Sequence, residues 1–184
     1  MGEVMRRVWA MGAAVALAVG GAVPAQAMGS SDAYENIQVG VTYTVYEPSY
    51  SAGLKAQHVG GNDLCPEGTE ENVVAMYGKG SGRQFTIFEG NPMCQDIGVG
   101  AIVMTRKVQG ATATVMAYCN PETIKKCKKS DVLKYGGNLR VTLPAGPNLR
   151  PTEVWIETYG GTDGKNISAQ QLVQIARKMQ PAGD

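Results

Sequence analysis

From Ile37 to Tyr46 apolar and polar positions alternate, with Ile37, Val39, Val41, Tyr43 and Val45 on one side, the pattern of a half-buried strand. Pro48 and Gly53 break it, and the stretch through Gly60, Gly61, Asn62 and Asp63 reads as irregular. Two β-prone runs, Val73 to Tyr77 and Gln84 to Glu89, flank a glycine-rich turn centred near Gly80 and Ser81 and predict a hairpin. A second hairpin is predicted from Ile102 to Val108, through a two-residue turn at Gln109 and Gly110, and back along Ala111 to Tyr118. Leu139 to Leu143 and Thr152 to Tyr159 supply two more strands, separated by Pro144, Pro147 and Pro151, which interrupt pairing. One helix is convincing. Ser168 and Gln171 form a capping box, and Leu172, Ile175, Ala176 and Met179 follow at helical spacing before Pro181. The fold class is therefore α+β: a curved, mostly antiparallel sheet of about six or seven strands with one C-terminal amphipathic helix packed on a face.

The first residues change the picture of where this domain works. Arg6 and Arg7 precede an uncharged run from Val8 to Gly21, and Ala25-Gln26-Ala27 follows, the layout of a signal peptide cleaved after Ala27. The expected organisation is a leader over 1–27, a flexible mature N-terminus over 28–36, one domain over 37–180 and a tail over 181–184. Without the leader the 17 basic residues fall to 15 and the 16 acidic ones to 15, so the mature chain is neutral. That balance argues against a nucleic-acid binder, and no second apolar stretch of spanning length provides a transmembrane anchor.

Four cysteines, Cys65, Cys94, Cys119 and Cys127, in an exported chain read as two disulfides. Cys65 and Cys94 lie nearly equidistant from the turn at Gly80 and Ser81, which supports their pairing and leaves Cys119 with Cys127. Closing these loops is worth roughly 3.6 and 2.6 kcal/mol in the chain-entropy treatment. No C-x-x-C is present and His58 is the single histidine, so neither a redox dithiol nor a Cys/His zinc site has its spacing, and no metal or cofactor is expected.

Candidate chemistry is sparse. His58 lacks a nucleophile motif, Glu67, Glu70 and Glu71 cluster after Cys65-Pro66, and Glu153 and Glu157 share one face of a strand. The densest charge is Lys125, Lys126, Lys128 and Lys129 around Cys127, with Lys134 nearby. A bridge at Cys127 would hold these lysines in a clamped cationic patch suited to an anionic envelope component or an exported protein; the plain alternative is a solvated loop protecting a sheet edge. Asn166-Ile167-Ser168 is formally a glycosylation sequon, but its serine is better used as the helix cap.

The strand followed by Pro48, Tyr50 and Gly53, and the ending in which Thr152 to Tyr159 is followed by Ile167-Ser168 and Leu172, Ile175 and Ala176, resemble an uncharacterised bacterial extracytoplasmic domain family seen in anti-sigma-factor-like and lipoprotein-like proteins. The resemblance implies an exported sensory or binding module and carries no catalytic residues. The chain departs from that pattern in its four cysteines and in lacking the membrane-spanning and sigma-binding parts. The expected function is a secreted, non-enzymatic binding module. The alternatives are a carrier holding a small apolar ligand between sheet and helix, with Met76, Met104, Met116 and Met179 as lining, and, third, a hydrolase.

Overall fold

The computed structural model describes residues 30–62, 70–79, 82–94, 98, 100–119, 126–160 and 166–183. The leader region, Cys65, Glu67 and Lys125 lie outside the described residues.

The first described element is a helix, α1 (Ser30–Gln38), which corrects the expectation of a flexible segment over 28–36. Ala33, Tyr34 and Ile37 recur at helical spacing, and Tyr34 is fully buried; that burial selects helix over the strand period beginning at Ile37. The predicted strand over Ile37 to Tyr46 is accordingly replaced. Val39 is exposed, Gly40 donates to the Ile37 carbonyl, and only Tyr46–Pro48 is a strand, β1. Val41, Tyr43 and Val45 are still buried, so the alternation did mark an inward face. Their backbone is bonded differently: the Gln38 amide donates to the Tyr43 carbonyl and accepts from the Val45 amide, while Thr42 and Thr44 exchange backbone bonds with Arg150.

Seven strands follow in one antiparallel sheet: β2 (Ala56–Asn62), β3 (Asn72–Gly78), β4 (Gln84–Gly90), β5 (Ala101–Val108), β6 (Ala111–Ala117), β7 (Gly136–Leu143) and β8 (Thr152–Tyr159). Their spatial order is β2-β3-β4-β8-β7-β6-β5, two meanders joined where β4 pairs with β8. The β3–β4 ladder runs from Val73 opposite Glu89 to Gly78 opposite Gln84, the register expected from the turn centre. The β5–β6 turn places Gln109 and Gly110 at φ 47° and 83°, the left-handed pair that a two-residue hairpin turn requires. β2 corrects the reading of Gly60 and Gly61 as irregular; the two glycines form an edge strand on β3, and a Cβ on Gly61 would overlap the Glu71 side chain.

Two short elements escaped the periodicity. α2 (Asp131–Tyr135) connects the Lys-rich segment to β7 and buries Val132. After α3 (Ala169–Arg177), Met179–Pro181 forms β9 and pairs with β1, so Pro181 ends a strand instead of the helix, and the tail begins one residue later than expected.

The predicted capping box is present. The Ser168 hydroxyl accepts from the Gln171 amide at 3.2 Å, and Gln171 Oε1 accepts from the Ser168 amide at 3.0 Å. Leu172, Ile175 and Ala176 of α3 are fully buried and share one core with Tyr34 of α1 and with Val73, Ile87, Val115, Leu139 and Ile156 of the sheet. Both helices thus cover the same sheet face, and burial of each large side chain contributes about 1.5–3 kcal/mol. The opposite face carries a transverse row of paired residues, His58, Met76, Thr86, Glu157, Asn138, Met116 and Ile102.

Candidate functional site

At the end of the sheet where β6 stops and β7 starts, Tyr118 donates its amide to the Gly136 carbonyl and Cys119 is bridged to Cys127, with Cα atoms 6.2 Å apart. Beyond the bridge the chain is turned by Asp131, whose Oδ2 accepts from the Lys128 amide at 2.7 Å while its own amide donates to the Lys128 carbonyl. Two local constraints therefore hold residues 126–130 in front of α2. Lys126, Lys128 and Lys129 are exposed on it, Lys134 is exposed on α2, and the Lys134 ammonium sits 4.7 Å from the centre of the Tyr135 ring. Tyr135 and Tyr159, 40% and 49% exposed, add aromatic surface beside the cations. Gly160 packs so closely on the Lys134 carbonyl and on Tyr135 that a Cβ there would clash, which places the end of β8 against α2.

The Cys119 and Cys127 sulfurs and an Asp131 carboxylate oxygen lie within 4.8 Å of one another. The two sulfurs are bonded to each other, so the group supplies no thiolate pair to a metal. Cys94 is also in a disulfide; its expected partner Cys65 falls outside the described residues.

Next to the lysines lies a polar cluster that the sequence reading did not assemble. Tyr118 and Tyr159 donate to the two oxygens of the buried Glu157 carboxylate, at 2.6 and 2.7 Å, and Asn138 Nδ2 donates to the Tyr118 hydroxyl at 3.1 Å. Burial raises the Tyr118 phenol well above its usual range, reinforced by its bond to Glu157, and the same two causes push Tyr159 up to about 12. Both hydroxyls stay protonated donors at neutral pH. Two residues further along the same pair of strands, the Arg140 guanidinium stacks 4.1 Å from the Trp155 ring centre on the same face.

The carboxylates singled out as candidates are dispersed. Glu153 and Glu157 do share a face, but four residues of strand separate their attachment points by about 13 Å, and the Glu157 carboxylate is taken up by Tyr118 and Tyr159. Glu153 borders a small cavity of about 170 Å³ with Arg140, Thr142 and Trp155. Glu70 forms the one ion pair among the described residues, with Arg150, and accepts from the Thr42 amide at 3.1 Å. Burial works against its charged form, but the Thr42 bonds and the Arg150 guanidinium outweigh that and hold its carboxyl below the usual range.

His58 stands on edge strand β2, exposed, its ring folded against Gly60. The four methionines do not share one cleft: Met104 borders a hollow of about 150 Å³ between β5 and α3, Met179 is buried in the core, and Met76 and Met116 lie on the helix-free face. Asn166 of the sequon is buried; its side chain accepts from Thr158 Oγ1 at 2.7 Å and donates to the Tyr159 carbonyl, holding the entry to α3.

One buried acid was missed altogether. Glu89 on β4 is fully buried on the helix-covered face, with Oε2 accepting from the Tyr46 amide at 2.8 Å and Oε1 lacking a hydrogen-bond partner. Burial drives its carboxyl well above the usual range, so it is held neutral. Its signal was a single glutamate at an inward position of the Phe85, Ile87, Glu89 alternation.

Among the described residues no helix is long and apolar enough to cross a membrane. No family of known proteins matches the chain, and neither a curated protein nor a solved structure does.

Proposed function

We propose that this chain is an extracytoplasmic, non-enzymatic binding module that holds an anionic polymer of the cell envelope on its lysine-rich end. The observation that carries the reading is the cluster of Lys126, Lys128 and Lys129, exposed on a stretch held by the Cys119–Cys127 bridge and by Asp131, with Lys134 exposed on the adjoining α2. A cation on a free loop loses conformational entropy when it binds; lysines on a pre-ordered segment lose less, and their charges reinforce one another. Tyr135 and Tyr159 extend the surface with flat, hydrogen-bonding faces of the kind enriched at recognition sites. Lys125 belongs to the same run in the sequence. The leader-like beginning of the chain and the disulfides support export.

The test is retention of the purified protein on insoluble envelope material, with alanine at Lys126, Lys128, Lys129 and Lys134. The wild type is retained at low salt and released as salt rises, and the variant is not retained. Equal retention of both proteins rejects the lysine surface.

A further inference from the structure

A groove lies on the far side of the sheet from the lysines, between α1, the segment from Pro48 to Lys55 and edge strand β2. Its volume is about 670 Å³, within the range of small-molecule sites. The position of its walls follows from local structure. A β-bulge between Ala56 and His58 leaves Gln57 off the ladder on this edge strand, and Ala56, Gln57, His58 and Val59 all border the hollow. Its base is rigid: the Tyr77 ring stacks on Phe85 at 4.7 Å, and the Tyr77 hydroxyl is tied to that of Tyr34 at 3.0 Å.

The chemistry of the lining is two-sided. Ala33, Pro48, Leu54 and Ala56 form an apolar wall, whereas Lys55 and His58 stand exposed at the rim. Among the described residues no acidic side chain lines the groove, and none forms an ion pair with Lys55. A cation poised beside an apolar wall, with no internal counter-charge, matches a ligand that is apolar along its body and anionic at one end. A peptide strand added to β2 fits less well, because Gln57 Nε2 donates to the Lys55 and Ala56 carbonyls at 3.3 and 3.4 Å, and the Gly78 amide also occupies the Lys55 carbonyl.

From these observations we infer that the groove is a binding site for a small amphipathic carboxylate, its acid group on Lys55 and the His58 ring N–H and its apolar body on Pro48, Leu54 and Ala56. This site is separate from the lysine-rich end and does not depend on it.

The experiment is an amide-shift titration of the full mature chain with octanoate, using octylamine and acetate as charge and chain controls. Octanoate shifts Lys55 to Val59 and Tyr77 saturably in the millimolar range or below; the two controls do not. Lys55→Glu and Leu54→Ser each weaken octanoate by about tenfold or more, equivalent to about 1.4 kcal/mol, while alanine at Lys126, Lys128, Lys129 and Lys134 leaves it unchanged. Equal shifts with octylamine, shifts confined to the lysine-rich end, or no saturation with the wild type would overturn the assignment.

Discussion

The phenolic oxygens of Tyr34 and Tyr77 lie 3.0 Å apart in the buried layer between α1 and β3. One hydroxyl must donate to the other, and burial keeps both protonated, raising Tyr34 well above its usual range and pushing Tyr77 up to about 12. This pair is a buried polar link between the first helix and the sheet. Tyr34→Ala should destabilise the protein by about 3–5 kcal/mol, through the cavity and the lost packing of a fully buried ring. Tyr34→Phe should cost about 1–2 kcal/mol, because it strands the Tyr77 hydroxyl. Urea unfolding curves measure both; values near zero would mean that α1 is not part of the cooperative unit.

Glu89 predicts an unusual dependence on pH. Its carboxyl is held neutral by burial, facing the Tyr46 amide, the phenols of Tyr34, Tyr43 and Tyr77, and Glu47, with no basic side chain among these groups. A raised folded value means that the native state binds more protons than the unfolded chain once pH exceeds the ordinary carboxylic range. The contribution to stability is therefore complete below that range and declines as pH rises toward the folded value. Glu89→Gln should flatten this decline, and the difference between the proteins should widen as pH rises above the ordinary carboxylic range when unfolding free energies are compared. A wild type and variant with parallel profiles would place a charged, compensated carboxylate at Glu89.

The start of α3 depends on the reciprocal bonds of Ser168 and Gln171. Ser168→Ala should lower stability by about 1 kcal/mol without changing the fold, visible as a shifted urea midpoint with the same slope. A change of slope would show instead that the helix detaches.

The Cys119–Cys127 bridge closes a short loop, so replacing both cysteines by serine should cost about 2–3 kcal/mol. The same change should weaken retention on anionic material at low salt, since Lys126 and Lys128 lose the constraint that holds them beside α2. Retention unchanged in a folded double variant would show that the charge alone suffices and the clamp is irrelevant to binding.

Much of the architecture was readable along the chain because its signals are local. Gln109-Gly110 dictates a two-residue turn, Thr152 to Tyr159 is a β-prone run set off by Pro151, and Ser168 with Gln171 announces a helix start. The errors arose where two periods overlap or where partners come from far away. Ile37 fits a strand as well as a helix, and the burial of Tyr34 against Tyr77, 43 residues later, decides between them. The Gly60-Gly61 strand is held by β3, and Met179–Pro181 by β1, neither visible in a short window. Of the candidate site, the lysines and Cys119–Cys127 were legible as a run. Their neighbours Tyr135, Tyr159 and Glu157 were not, since only strand register brings them together.

The most direct test of the central claim is the salt dependence of binding to a defined polyanion such as linear polyphosphate. For the wild type the logarithm of the affinity should fall steeply and linearly with the logarithm of salt concentration, because exposed charges are screened within about 10 Å at 0.1 M salt. Alanine at Lys126, Lys128, Lys129 and Lys134 should remove most of that slope together with the affinity. A variant that binds with the same strength and slope as the wild type would contradict the account.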